Sequence, residues 1–202
     1  KRLFDGFAGT FDQTLAALNY NVPKLIADRL AERYPNARAD MVILDAGCGT
    51  GLCAAFLKPL AAHLVGVDLS GGMLKQASRR GLYDQLIEEE LTANLQKNRD
   101  RFDLIICSDT LIYFGDLETV LAAARSALKA DGRFVFSVEL LQGNNSNSYQ
   151  INTSGRYSHS RNYVCEKVVE AGLTLVNIDE TVLRNELVTP VAGLIVEAMA
   201  QR

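Results

Sequence analysis

The tightest constraint on this chain is the run Met41 to Gly51, MVILDAGCGTG, taken with the segment VGVDLS at Val65 to Ser70. An apolar stretch ends in Asp45 and then in glycines at alternate positions, Gly47, Gly49 and Gly51. That reads as a buried strand entering a turn from which side chains are excluded. Glycine admits unusual backbone angles there and lets a ligand approach the main chain closely. Helix formers follow over Leu52 to Leu60, and a second apolar run, His63 to Val67, ends in Asp68. The pattern is a βαβ unit. Asp68 lies nineteen residues past Gly49, where the end of a second strand offers a carboxylate to a ribose diol.

The third glycine separates two ligand classes. A dinucleotide fingerprint, GxGxxG, needs glycine at 52, but 52 is leucine and the glycine comes one place earlier. A pyrophosphate needs the helix N-terminus and its amides brought very close. The spacing found here suits a ligand with ribose and no phosphate. A nicotinamide or flavin dinucleotide, and an ordinary glycine turn after a strand, are the competing readings. DAGCGTG followed by VGVDLS and then Met73-Leu74 resembles motif I and the following acidic loop of the class I S-adenosylmethionine (SAM) methyltransferases. The resemblance implies an α/β fold: a Rossmann-like, seven-stranded, mostly parallel sheet with an antiparallel last strand and helices on both faces. It implies S-adenosyl-L-methionine as cofactor and S-adenosyl-L-homocysteine as product.

Site residues follow from the same resemblance. The backbone from Asp45 through Gly47, Cys48, Gly49 and Gly51 is expected to hold the methionine part of the cofactor. Asp68, with Leu69 beside it, is expected to hold the ribose. Ser70 is a natural N-cap for the next helix. Met73 is a candidate for the adenine face and equally for plain core. Glu88 to Glu90 reads first as a solvated charge run. The family, however, places an acid at the end of the third strand to accept the adenine amino group, and Glu90 and Leu91 match that location. Ser108 and Asp109, after the strand FDLIIC at Phe102 to Cys107, match the position that flanks the reacting end.

The sequence there is SDTLIY, without the D/N-P-P-Y/F of base-amino methylation or a Pro-Cys pair for cytosine chemistry. No Asp and Asn cluster of the catechol type can be assembled, so no metal is expected. Tyr113, His159 and Glu139 are the candidate bases, with Tyr113 and His159 set down as catalytic candidates. The segment Gln142 to Ser160 is polar and rich in Asn, Ser and Gly, the composition of a functional or disordered loop. Arg156, Tyr157 and His159 within it, with Tyr113, are the substrate-contact candidates, although a lone surface histidine is more often uninvolved.

At 202 residues the chain suits one domain, 1–202, with an N-terminal helical cap at 1–35 and a substrate-side loop at 141–160. Phe4, Phe7, Phe11, Leu15 and Leu18 fall at helical spacing. The cap packs on the sheet, or it also folds over the cofactor with Phe11 and Tyr20 as lid residues. Its FDGFAGTFD opening resembles methyltransferases that carry tetratricopeptide repeats upstream. The chain starts with Lys in mid-pattern, as a domain cut from a longer polypeptide would. Net charge is −3, which argues against a nucleic-acid partner, because phosphate affinity needs a concentrated basic footprint. No apolar run has membrane-span length. Four cysteines without metal-like spacing (Cys48, Cys53, Cys107, Cys165) suit reduced thiols and a cytoplasmic location. The acceptor expected is a small molecule. A non-catalytic SAM-binding domain and a protein methyltransferase are the alternatives.

Overall fold

The computed structural model describes residues 6, 9, 11–36, 38–143, 148–186 and 189–201. Phe4 and Phe7 of the helical cap, and positions 144–147 of the polar loop, lie outside the described residues. The chain opens with α1 (Phe11–Ala17) and α2 (Val22–Arg33), the latter with Pro23 in its first turn, where a missing N–H costs nothing. Alternation then follows: β1 (Met41–Ala46), α3 (Ala54–Leu57), β2 (Ala61–Asp68), α4 (Gly71–Arg79), β3 (Gln85–Glu88), α5 (Leu91–Lys97), β4 (Phe102–Cys107), α6 (Glu118–Ala127) and β5 (Leu128–Leu140). The remainder is β6 (Tyr149–Ile151), β7 (Tyr157–His159), α7 (Arg161–Glu170), β8 (Leu173–Glu186) and β9 (Thr189–Ala200). The helix expected over Leu52 to Leu60 is shorter than its sequence suggests. It passes at Lys58 into a tight 3₁₀ turn that contains Pro59, whose ring removes a helical donor.

Strands β3, β2, β1, β4 and β5 lie side by side in that order, all parallel. Along Arg133 to Glu139, β5 takes β9 as an antiparallel neighbour, and β8 pairs antiparallel with β9 at the edge. The mostly parallel sheet with an antiparallel last strand is therefore as expected, and it has more than seven strands. The two additions, β6 and β7, come from the segment expected to be irregular. They form an antiparallel ribbon, and β7 runs parallel to the end of β5 at Glu139 and Leu140. The physical reason is local. Tyr149, Ile151, Tyr157 and His159 supply bulky side chains suited to a pleated surface amid the polar residues.

Period-two alternation sends neighbouring strand residues to opposite cores. Leu44, Ile105, Cys107, Phe134 and Phe136 pack on one face with residues of α5, α6 and α7. Ile43, Leu104, Ile106 and Val135 pack on the other with α2 and α3. Helices thus cover both faces, and the central strands read as continuous apolar runs because neither face meets water. Ala123, Ala124 and Ala127 are buried, which brings α6 close against the sheet. Strand order reverses between β1 and β4, so the loops leaving those two strands diverge and open a crevice at their carboxyl ends. Among the described residues no helix is long and apolar enough to cross a membrane.

Candidate active site

A cavity of about 420 Å³ opens at that crevice. Its floor is the glycine loop after β1. Gly47 has φ +77°, and an added Cβ there would fall 2.2 Å from Thr110 Oγ1. The two loops leaving the switch point therefore touch, and Thr110 Oγ1 donates to the Gly47 carbonyl at 3.3 Å. Gly49, with φ +54°, differs: a Cβ added there meets nothing within 4 Å, because this residue turns its bare backbone to open space. Gly51 has φ +82° but does not line the cavity; its missing side chain makes room for Tyr83 and Arg80. The expected ligand role of Gly51 is corrected to a packing role on that account.

Asp68, at the end of β2, lines the cavity. One carboxylate oxygen accepts from the Gly49 N–H at 2.9 Å and the other from the Ser70 N–H at 2.8 Å, which ties the second strand's acid to the first strand's loop. Burial raises its pKa, with those N–H groups opposing. Leu69 lines the cavity and Met73 does so while almost fully buried, so Met73 serves cavity wall and core together. Ser70 caps α4 by accepting from the Met73 N–H at 3.2 Å. Glu90 and Leu91 also line the cavity, but Glu90 has another task. It is the N-cap of α5, and its carboxylate accepts from Thr92 N at 2.9 Å and Ala93 N at 2.8 Å. Two of its acceptor positions are thereby occupied.

Beneath the loop Asp45 is 1% exposed, and burial raises its pKa to about 7 against a hydrogen bond donated by Tyr83 Oη at 2.5 Å. The folded value stands above the ordinary 3.8, so the stability this group contributes is fully present at acid pH and is lost as pH rises through about 7. Asp45→Asn is expected to remove that loss. In urea titrations of ligand-free protein at about pH 6 and about pH 8, the variant should show a flatter stability profile than the parent. Parallel profiles would refute it.

The roof comes from the N-terminal segment. Phe11, Leu15 and Leu18 follow one another at helical spacing and all face the cavity, with Tyr20 and Pro23 beyond them. Tyr20 Oη and Ser108 Oγ are 3.0 Å apart, which joins the roof to the end of β4. Asp12 accepts from Thr50 Oγ1 and from Arg80 Nη2, each at 2.5 Å, so the roof is also fastened to the glycine loop and to the residue after α4. Of the two roles open to the helical cap, the described part takes both: α2 packs on the sheet while α1 covers the cavity.

At the other end lie Ser108, Asp109, Tyr113 and Arg156, all lining the cavity. Asp109 has φ +53°, and its N–H donates to Ser137 Oγ at 2.8 Å. Burial raises its pKa to about 6, with Arg184 opposing. Arg184, on β8, was not foreseen. It is 2% exposed, lines the cavity, and meets Asp109 at 3.3 Å, Glu186 at 3.1 Å and Glu139. Nothing in the sequence marks it out, since β8 carries Asp179, Glu180 and Glu186 as well.

His159 is corrected. It is fully buried behind the wall, with Nε2 3.0 Å from the Gly115 carbonyl and its ring stacked on Tyr163, and desolvation lowers its pKa. His159 pairs with Leu140 of β5 and with Tyr149 of β6, and its side chain lies in the interior, so it does not line the cavity. Tyr157 packs against Gly115 and the Tyr149 ring and likewise does not line it. Glu139 is buried beneath Arg184.

Comparison with known proteins adds to this geometry. The Methyltransferase domain family matches residues 44–136. Human methyltransferase-like protein 27 is 45% identical over 84 residues, 41% of this chain and 34% of that protein. The ubiquinone biosynthesis O-methyltransferase of Salmonella paratyphi A is 25% identical over 156 residues, 73% of this chain and 63% of the relative. The chain thus spans less than two thirds of the length of these curated relatives. Among solved structures, the Burkholderia thailandensis 1,6-didemethyltoxoflavin-N1-methyltransferase, with 1,6-didemethyltoxoflavin and S-adenosylhomocysteine bound, superposes with a TM-score of 0.69. It shares 20% identity over 99% of this chain and 88% of its own, and what it shares is the fold.

Proposed function

We propose, from the premise that residues 44–136 form a methyltransferase domain, that this chain is an S-adenosylmethionine-dependent methyltransferase acting on a small-molecule acceptor. The observation that carries the reading is the cavity at the β1/β4 switch point. There a bare Gly49 backbone faces open space and the Asp68 carboxylate stands beside it. Those residues fit the cofactor. Backbone at Gly47 to Gly49 would hold the amino-acid end, Asp68 the ribose hydroxyls, and Leu69, Met73, Glu90 and Leu91 the adenine. A Rossmann dinucleotide fits less well, since Leu52 stands where its third glycine belongs.

A bound sulfonium supplies an already activated methyl group, so the chain has to supply placement more than activation. Holding two reactants in line removes roughly 7–11 kcal/mol of barrier in well-oriented cases. Here Phe11, Leu15 and Leu18 roof part of the cavity with apolar side chains, and Ser108 and Asp109 border the reacting end. A small acceptor is supported by the partly covered, largely apolar space under that roof. The name of the Salmonella relative, which specifies ubiquinone biosynthesis, points the same way.

The first test is a thermal-shift comparison of SAM, S-adenosylhomocysteine and NAD. A ligand that binds only the folded state raises its stability by mass action. Stabilisation by the first two and not by NAD is expected, and the reverse pattern would sink the reading. Release of S-adenosylhomocysteine on adding the small-molecule fraction of a cell extract then separates turnover from binding alone. Asp68→Ala is expected to weaken SAM binding on the order of 100-fold, since hydrogen bonds to a charged acceptor contribute about 1.5–3 kcal/mol each. Calorimetry on a variant with unchanged circular dichroism reads this, and unaltered affinity would remove Asp68 from the site.

A further inference from the structure

We propose that the cluster formed by Asp109, Arg184 and Glu139, with Arg156 and Glu186 beside it, selects the acceptor, taking a neutral hydrogen-bond donor on an apolar frame, of the phenol type, and turning away carboxylates. The inference rests on the methyltransferase reading, because it assigns the part of the cavity that the cofactor residues leave over.

Two observations carry it. The first is how the guanidinium groups are spent. Arg184 Nη2 reaches Glu139 and Glu186, its Nε reaches Glu186 at 3.3 Å, and its Nη1 faces both Asp109 oxygens at 3.3 and 3.4 Å. Arg156 Nη1 is hydrogen-bonded to Glu186 and lies 3.9 Å from Glu139. Both cations are thus held by carboxylates of the chain itself. The cluster contains three carboxylates (Asp109, Glu139, Glu186) against two guanidiniums (Arg156, Arg184), one negative charge in excess. An arriving carboxylate would meet two guanidiniums already paired with carboxylates and a net repelling charge.

The second is that Asp109 is under-supplied. Its one side-chain hydrogen-bond partner among the described residues is Arg184, and those contacts are long. A carboxylate has about four acceptor positions, so open ones remain on the cavity side, which Asp109 lines. Its left-handed backbone and the Ser137 bond fix where the carboxylate stands. Leu18, Pro23 and Phe114 line the same cavity and offer an apolar frame. A hydroxyl presented to Asp109 makes a charge-assisted bond, whereas a carboxylate there meets another carboxylate.

Asp109 faces charged or titratable groups from every side: Arg184 and Glu186 on β8, Glu139 on β5, Arg156 before β7, Tyr20 in the roof, Cys107 at the end of β4 and Tyr113 after it. Burial sets its carboxyl near 6, so above that pH it is an acceptor and below it a donor.

The test uses protein saturated with S-adenosylhomocysteine and two matched probes, 4-ethylphenol and 4-ethylbenzoate, in calorimetric titrations. At about pH 7.5 the phenol is expected to bind at least about 10-fold more tightly than the benzoate, a discrimination of about 1.4 kcal/mol. In Asp109→Asn, which keeps the shape and tolerates the left-handed backbone, the ratio is expected to fall to about 1. Lowering the pH of the parent protein to about 5 should move its ratio the same way. Equal or preferred binding of benzoate, a ratio unchanged in the variant, or no binding of either probe would each overturn the proposal. The parental ranking alone decides should the variant fail to fold. In all these outcomes retained S-adenosylhomocysteine binding leaves the methyltransferase reading standing, and its loss would strike that reading first.

Discussion

Gly47→Ala is expected to destabilise the domain by about 2–5 kcal/mol, while Gly49→Ala costs about 1–2 kcal/mol of stability and instead weakens cofactor binding. Both glycines have positive φ, so each substitution meets the same backbone penalty of about 1–2 kcal/mol. They differ in what the new methyl encounters. At 47 it would stand 2.2 Å from Thr110 Oγ1 and 2.6 Å from Thr110 Cγ2, and the loops after β1 and β4 would have to separate. Overpacking of that kind adds about 1–3 kcal/mol. At 49 the methyl enters open cavity, where only a ligand competes for the space. Urea midpoints and SAM calorimetry on the two variants separate these effects. A Gly47→Ala protein within about 1 kcal/mol of the parent would show that the two loops can part cheaply, contrary to the contact seen.

That contrast also marks how far the sequence could be read. The alternate glycines and Asp68 are legible because their geometry is local: one βαβ unit and a spacing of nineteen residues bring them together. Yet three identical letters in that loop do three different things. Gly47 admits Thr110, Gly49 faces the cavity and Gly51 admits Tyr83 and Arg80, and those partners lie 29 or more residues away. The parallel sheet was legible from apolar runs, since strands buried on both faces have no polar face to interrupt them.

The edge was less so. Tyr149 to Ile151 and Tyr157 to His159 have side chains suited to strands, but which edge they join, the end of β5, is set far away in the chain. An imidazole at 159 suits proton transfer, but a one-residue register difference decides between wall and cavity, and spacing does not fix it. Glu90 lies two residues past β3, where it caps α5, a demand that a run of three glutamates does not announce. Arg184 stands 75 positions from Asp109, so nothing local announces that the two meet.

Arg184→Met is expected to be the most damaging side-chain change at the acceptor end, costing about 3–5 kcal/mol at neutral pH. The methionine fills much of the arginine's volume, so lost packing is a small part. What remains is Glu139, Glu186 and Asp109 without the guanidinium they share, with Glu139 5% exposed and little able to recruit water. The pH dependence follows with a definite sign. Asp109 already has a folded pKa raised to about 6, and loss of the cation pushes it higher. A carboxyl whose pKa is raised by folding is best accommodated below its unfolded value and loses that accommodation as pH rises through the folded one. The difference between variant and parent should therefore be largest above about pH 7 and narrow as the pH falls towards about 5. Urea midpoints along that series read it, and a difference independent of pH would assign the loss to packing alone. The effect should reach the roof as well. The residues flanking Arg184 hold the N-terminal segment by backbone hydrogen bonds, Asn21 N to Leu183 O at 2.9 Å and Asn185 N to Leu18 O at 2.7 Å. With its anchor gone, the end of β8 loosens. Hydrogen exchange at the Asn21 and Asn185 amides should then quicken together, ahead of global unfolding, because both bonds depend on the one strand end that Arg184 pins to Asp109 and Glu139.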